Sequence, residues 1–185
     1  MQLLGQHSPS PWSTLDKVRR ALWILVSQTV WRWSPVSWNA WRNAWLRLFG
    51  ATINDRPDAR ACVWPDVDIY HPWKLTLGAA SIVGTGSRLY NLAPITLEDG
   101  ANLSRFVHAC TGSHDLARWD MPLTTAPIVI KRNAWIGTDT YLAPGVTIGE
   151  ECIVGARSVV TKDQPASMCC WGHPCKPVKP RPALQ

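Results

Sequence analysis

The stretch LAPGVTIGEECIVGARSVVTKD, residues 142–163, restarts the same phrase every six residues. Large aliphatic side chains fall at Ile130, Ile136, Leu142, Ile148, Val154 and Val160, a spacing of six without a break. An α-helix returns to one face every three or four residues and does not make that ladder. Two positions before the last five rungs stand Ala134, Thr140, Val146, Cys152 and Ser158, all small or β-branched. Residues two apart share one face of a strand, so each hexad is expected to point one large and one small side chain inward. Directly after the rungs come Gly137, Ala143, Gly149, Gly155 and Thr161. These mark the expected corners, where a chain turning after a short strand has little room for a side chain. One such repeat cannot bury its apolar face alone, but stacked coils share a continuous core, and the pattern predicts a parallel β-helix.

The ladder extends upstream through Leu77, Val83 and Leu89 and then Leu97, Leu103 and Ala109, with the steps Ile69 to Leu77 and Leu89 to Leu97 stretched to eight. Two small bulges are expected there. Between Ala109 and Ile130 the register breaks for CTGSHDLARWDMPLTTAPIV, residues 110–129, which is too long for a corner. Long loops in compact domains are usually functional or disordered, so this loop is where chemistry is sought first.

A length of 185 residues predicts one domain with enough chain for a sizeable core. Its charge is uneven. Residues 1–50 hold Lys17, Arg19, Arg20, Arg32, Arg42 and Arg47 against Asp16 alone, so they carry most of the net charge of +6. The same residues hold seven of the twelve tryptophans. No apolar run approaches the roughly 18 to 20 residues that span a bilayer, because Arg20 and Arg32 bracket Ala21 to Trp31. The late charges and the lack of an A-x-A-like cleavage site argue against a secretory signal, so a cytoplasmic location is expected. The six cysteines include no CxxC pair and are expected to be free thiols in a reducing compartment.

Three regions follow: a basic, Trp-rich helical segment over 1–50, the β-helix over 51–163 with its loop at 110–129, and a Pro/Lys-rich extended tail over 164–185. In the first, Ser13 is placed to cap a helix with Asp16 reaching back, and Leu15, Val18, Leu22, Leu25 and Val26 have helical spacing. A second helix is expected to carry Trp38, Trp41, Trp45 and Leu48 on one face, with Asn39, Arg42, Asn43 and Arg47 on the other. Such stripes either pack on the β-helix or lie in the headgroup plane of a membrane, indoles inserted and Arg42 and Arg47 facing phosphates.

The hexads, CTGSHD at 110–115, AWIG at 134–137, SVVTKD at 158–163 and the GHPCKPVK ending together resemble the hexapeptide-repeat O-acetyltransferases of the maltose, galactoside and nodulation type. YHPWKLTLG, YNLAPITL and the Trp-rich front end are most similar to the colanic-acid (exopolysaccharide) acetyltransferases. The resemblance implies a left-handed parallel β-helix, a homotrimer, acetyl-CoA as donor and a sugar or lipid-linked oligosaccharide hydroxyl as acceptor. It places His114 as the catalytic base, which suits the chemistry, because an alcohol is a poor nucleophile until its proton is removed. It also implies that Thr138, Ala156, Thr161 and Lys162 line the coenzyme groove with Trp135 beside them. Lys176 and Lys179 match positions that approach the coenzyme 3'-phosphate. Near the acceptor, Tyr90 stands before Asn91 where many relatives have aspartate, and both are taken as acceptor contacts. His108 is expected to be structural, and His71, His173 and His7 receive no catalytic role.

Two rival readings use the same fold. A γ-type carbonic anhydrase needs three histidines around zinc, but His108 and His114 are separated by five residues where four are expected, so no metal is expected. A trimeric scaffold without catalysis, binding a membrane or a partner protein, does not account for the loop histidine and the coenzyme motifs. No nucleic-acid partner is expected.

Overall fold

The rungs of the ladder form the inner wall of a triangular coil. The computed structural model describes residues 12–183, and His7 lies outside them. The chain winds in about six turns through three sheets of five, seven and five strands, parallel throughout except for the last strand of the seven. The first sheet runs from Thr52–Ile53 through Leu75–Leu77, Ile95–Leu97 and Ile128–Ile130 to Thr147–Ile148. The second begins at Cys62–Val63 and the third at Asp68–Ile69, each gaining one short strand per coil. Parallel pairing stacks like on like: Ile69, Leu89, Ala109, Leu142 and Val160 form one inner column.

All the rungs from Ile69 to Val160 are buried, and so are the small residues Ala134, Thr140, Val146, Cys152 and Ser158. Inward hydroxyls are tolerated because they bond backbone, as Ser158 Oγ does to the Gly155 carbonyl at 2.7 Å. Each fully buried Leu or Ile side chain contributes about 1.5–3 kcal/mol by leaving water. The six cysteines are free, with Cys152 in the core.

The corners differ from the sequence expectation. Along the ladder the positive-φ residues lie three before the rungs, at Ala80, Gly86, Gly100, Phe106, Asn133, Asp139, Gly145, Glu151 and Arg157. Gly137 and Gly149, after the rungs, are small for another reason. A Cβ on Gly137 would lie 2.5 Å from the Ala156 amide nitrogen, and one on Gly149 would lie 2.4 Å from that of Ala166. The glycines therefore admit the next coil rather than turn the chain.

The bulges at 70–74 and 90–94 and the long loop all leave the third sheet on their way to the first, so three successive coils extend the same corner. The C-terminal segment is extended, as expected, but it belongs to the coil. Met168–Trp171 adds a parallel strand to the second sheet, and Lys176–Pro180 folds back antiparallel on it. Prolines 177 and 180 suit this outermost strand, where some amides have no ladder partner.

The helices pack mainly through residues outside the expected stripes, although Val26 and Trp45 of those stripes are part-buried against the core. Helix α1, Thr14–Val26, starts at Ser13, whose Oγ accepts the Asp16 amide at 3.1 Å and donates to its carboxylate at 2.7 Å. It continues into a π-helical turn, Ser27–Trp31. Trp23 and Trp31 are buried edge to face, and Trp23 Nε1 donates to the Ile69 carbonyl at 2.6 Å. The stripe Leu15, Val18, Leu22 and Leu25 is exposed. In helix α2, Asn39–Leu48, the buried residues are Arg42, Asn43 and Leu46, whereas Trp38, Trp41 and Leu48 are exposed. Arg42 donates to the carbonyls of Val63 (2.6 Å), Pro35 (2.7 Å) and Val36. It also donates to Ser34 Oγ and Asn39 Oδ1. Arg47 pairs with Asp55. The expectation that Arg42 and Arg47 face lipid phosphates is corrected: both are committed to the protein.

Candidate active site

The break in the ladder is filled by a hairpin. Gly112–His114 pairs antiparallel with Leu123–Thr125 and stands off the extended corner. Its root is Thr111, fully buried, whose Oγ1 donates to the Tyr90 carbonyl at 3.0 Å and accepts the Ala93 amide at 2.9 Å. The Thr111 carbonyl takes the Ala126 amide at 3.0 Å, which ties both ends of the hairpin to the coil. The tip is held by the Asp115 amide on the Pro122 carbonyl at 3.0 Å and by a bidentate Arg118–Asp120 pair.

His114 is exposed, and its Nδ1 lies 2.6 Å from the Met121 carbonyl. A carbonyl only accepts, so Nδ1 is the donor, and in the neutral ring Nε2 is the nitrogen that holds the lone pair. Met121 reaches this position with φ of +41°, an uncommon conformation for a residue with a side chain. The ring is thus oriented by a backbone oxygen seven residues on, with no carboxylate.

The other expected residues fall into two groups. Trp135, half exposed, donates from Nε1 to Ser104 Oγ at 2.7 Å on the outer side of the second sheet. Thr138 and Ala156 follow on the adjoining corner in successive coils, where the Arg157 amide bonds the Thr138 carbonyl at 2.8 Å. Lys176 and Lys179 lie exposed on the outermost strand of that sheet. Thr161 and Lys162 lie at the different corner from which, two coils earlier, the His114 hairpin emerges. One chain therefore does not assemble all seven into one groove.

Asn91 is a correction. It is fully buried, its Oδ1 accepting the His71 amide at 2.8 Å and its Nδ2 donating to the His71 carbonyl at 2.6 Å. It pegs one extended corner to the next and has no surface to offer an acceptor. His71 is buried against Trp73 and pushed down to about 4 by burial, then by Lys74 and Arg20, so it stays neutral. Tyr90 lies on the outer face of the third sheet, edge to face with Tyr70 at 4.9 Å. Both line a groove of about 480 Å³ together with Arg20, Asp68, Arg88 and His108. His108 packs on Tyr141, and its proton affinity is lowered by burial and by Arg88. Among the described residues no group of three or more His, Cys, Asp or Glu is placed to hold a metal.

Residues 127–162 match the model of the bacterial transferase hexapeptide (six repeats). The chain is 40% identical to a putative colanic acid biosynthesis acetyltransferase of Escherichia coli K12, over 97% of this chain and 96% of that protein. The chain belongs to the hexapeptide-repeat acetyltransferases. Solved structures with the same fold include a hexapeptide-repeat acetyltransferase of Vibrio cholerae complexed with acetyl coenzyme A. It has a TM-score of 0.82 and 24% identity, covering 98% of this chain and 97% of that one. A galactoside acetyltransferase in complex with coenzyme A gives a TM-score of 0.81 at 22% identity, covering 92% of this chain and 84% of that one. Within a hexapeptide-repeat acetyltransferase, the Thr111 root and the Met121 carbonyl are the features that sequence reading missed. Neither carries a side-chain pattern that reports its contacts.

Proposed function

We propose that the protein moves the acetyl group of acetyl-CoA to a hydroxyl of a sugar or lipid-linked oligosaccharide, in the synthesis of an exopolysaccharide or another surface glycan. The observation that carries this reading is the His114 ring, with one nitrogen committed to the Met121 carbonyl and the other free. Nε2 takes the hydroxyl proton as the oxygen attacks the thioester carbonyl. When the carbon–sulfur bond breaks, the same proton passes to the departing thiolate. The 40% identity to a putative colanic acid biosynthesis acetyltransferase supports the glycan setting.

The coenzyme is assigned to Trp135, Thr138, Ala156, Thr161 and Lys162, with Lys176 and Lys179 toward its 3'-phosphate, where ammonium groups suit the charge. Their division between two corners of one chain favours a groove formed between neighbouring copies, and so a homotrimer. Mass spectrometry of the full-length protein incubated with acetyl-CoA and a panel of lipid-linked and nucleotide-linked sugars tests the reading. A product heavier by one acetyl group is expected. No product across the panel, together with no coenzyme binding, contradicts it.

The outward stripes of α1 and α2 favour one addition, a peripheral contact with anionic membrane on its cytoplasmic face. Leu15, Val18, Leu22, Trp33, Trp38 and Trp41 are exposed on the helical segment. Exposed Lys17 and Arg32 supply cations in place of the committed Arg42 and Arg47. No helix among the described residues is long and apolar enough to cross a membrane, so such contact is interfacial.

A further inference from the structure

The groove on the third sheet holds two arginines without ion pairs among the described residues. Arg88 projects from its outer face, in the row formed by Asp68, Arg88 and His108. Arg20 reaches in from α1, its guanidinium carbon 3.5 Å from the centre of the Tyr70 ring. Among the described residues neither arginine forms an ion pair, although Asp68 lines the same groove. Arg20 Nε is buried without a hydrogen-bond partner. This contrasts with Arg42, whose donors meet five oxygens.

An unpaired guanidinium with an unsatisfied buried donor is costly in isolation, and two in one groove repel each other. The planar fork of arginine matches the oxygens of a phosphate, which would neutralise the two charges together through their groove-facing nitrogens. Beside them, Tyr90, which meets Tyr70 edge to face, is exposed and adds aromatic surface on which a sugar can pack. The groove also includes Cys110, the last residue of the strand that leads into the His114 hairpin.

We propose that this groove binds the phosphate or diphosphate through which the acceptor sugar is carried, with Arg20 and Arg88 as the anion ligands. The sugar's part in this inference rests on the acetyl-transfer reading, whereas the anion site does not. Two carriers share the chemistry, a nucleoside diphosphate and a polyprenyl diphosphate.

Titration calorimetry of the full-length protein with inorganic pyrophosphate at low salt tests the site. Binding is expected that weakens with added salt and falls at least roughly tenfold in Arg88→Gln, the loss of about 1.4 kcal/mol that one charge-assisted contact accounts for. Arg88 is exposed and unpaired, so the variant should melt with the wild type. Absence of pyrophosphate binding, or equal affinity in Arg88→Gln, overturns the site. Competition separates the carriers: displacement of pyrophosphate by a uridine-diphosphate sugar or by a short-chain polyprenyl-diphosphate sugar supports the site and identifies the source. Displacement by neither overturns the carrier assignment. Pyrophosphate binding by a protein that acetylates no sugar would remove the acetyl-transfer reading and leave the anion site, while transfer without pyrophosphate binding would do the reverse.

Discussion

The solenoid and the helical segment before it use opposite solutions to the same problem. In the coil, the aliphatic residues of the ladder all face inward, and the large apolar residues left outside, such as Phe106, Trp135 and Trp171, lie off the ladder. In the helical segment, Arg42 and Asn43 are fully buried beside Trp23, Trp31 and Leu46, while Leu15, Leu22, Leu25, Trp33, Trp38 and Trp41 face outward. The difference lies in what each region packs against. A coil stacks on a copy of itself, so like meets like and periodicity alone decides which side is inside. The helices pack on a flank and corner that present backbone carbonyls, such as those of Ile69 and Val63, and those oxygens select donors: Trp23 Nε1, Arg42 and Asn43.

Removing the buried donor breaks this comparison most severely. Arg42→Ala leaves a cavity and strands the carbonyls of Val63, Pro35 and Val36, and a loss of about 3–5 kcal/mol is expected in chemical denaturation. A loss below that of an ordinary surface substitution would mean that the helical segment does not depend on this anchor. Next comes Gly137→Ala, which sets a Cβ against the backbone of the following coil, 2.5 Å from the Ala156 nitrogen. It should cost about 1–3 kcal/mol by overpacking, read from the same denaturation curves. If it proves neutral, the glycine is not there for coil stacking. The smallest stability effect is expected for Trp38→Ala with Trp41→Ala, each about 0.5–1 kcal/mol, because both rings are about half exposed and lose mainly their edge-to-face contacts with each other and with Trp45. Sedimentation with anionic vesicles should nevertheless separate this pair from the wild type. The wild type should bind at low salt and release as salt rises, and the double variant should bind less. Equal sedimentation of the two proteins would leave the indoles without a membrane role.

The same contrast explains what was legible in the sequence. Each rung from Ile69 to Val160 could be placed because a six-residue spacing has one geometric solution. The break at 110–129 likewise located the loop that carries His114. The glycines after the rungs were recognised as small, but their cause lies in the next coil, whose closeness no local pattern reports. For the helices, the stripe was visible and its direction was not, since direction depends on the carbonyls opposite. Asn91 was misjudged for a related reason: its amide is consumed by His71, a residue twenty positions away. The partner of His114 was out of reach because a backbone carbonyl has no side-chain signature.

The central claim is that His114, held through Nδ1 by the Met121 carbonyl, removes the acceptor proton. Steady-state turnover of His114→Ala, measured on an acceptor the wild type acetylates and accompanied by calorimetry with acetyl-CoA, tests it most directly. Turnover should fall by roughly 10²- to 10⁴-fold, the contribution of a positioned general base, with coenzyme affinity nearly unchanged. Wild-type turnover in that variant would contradict the assignment.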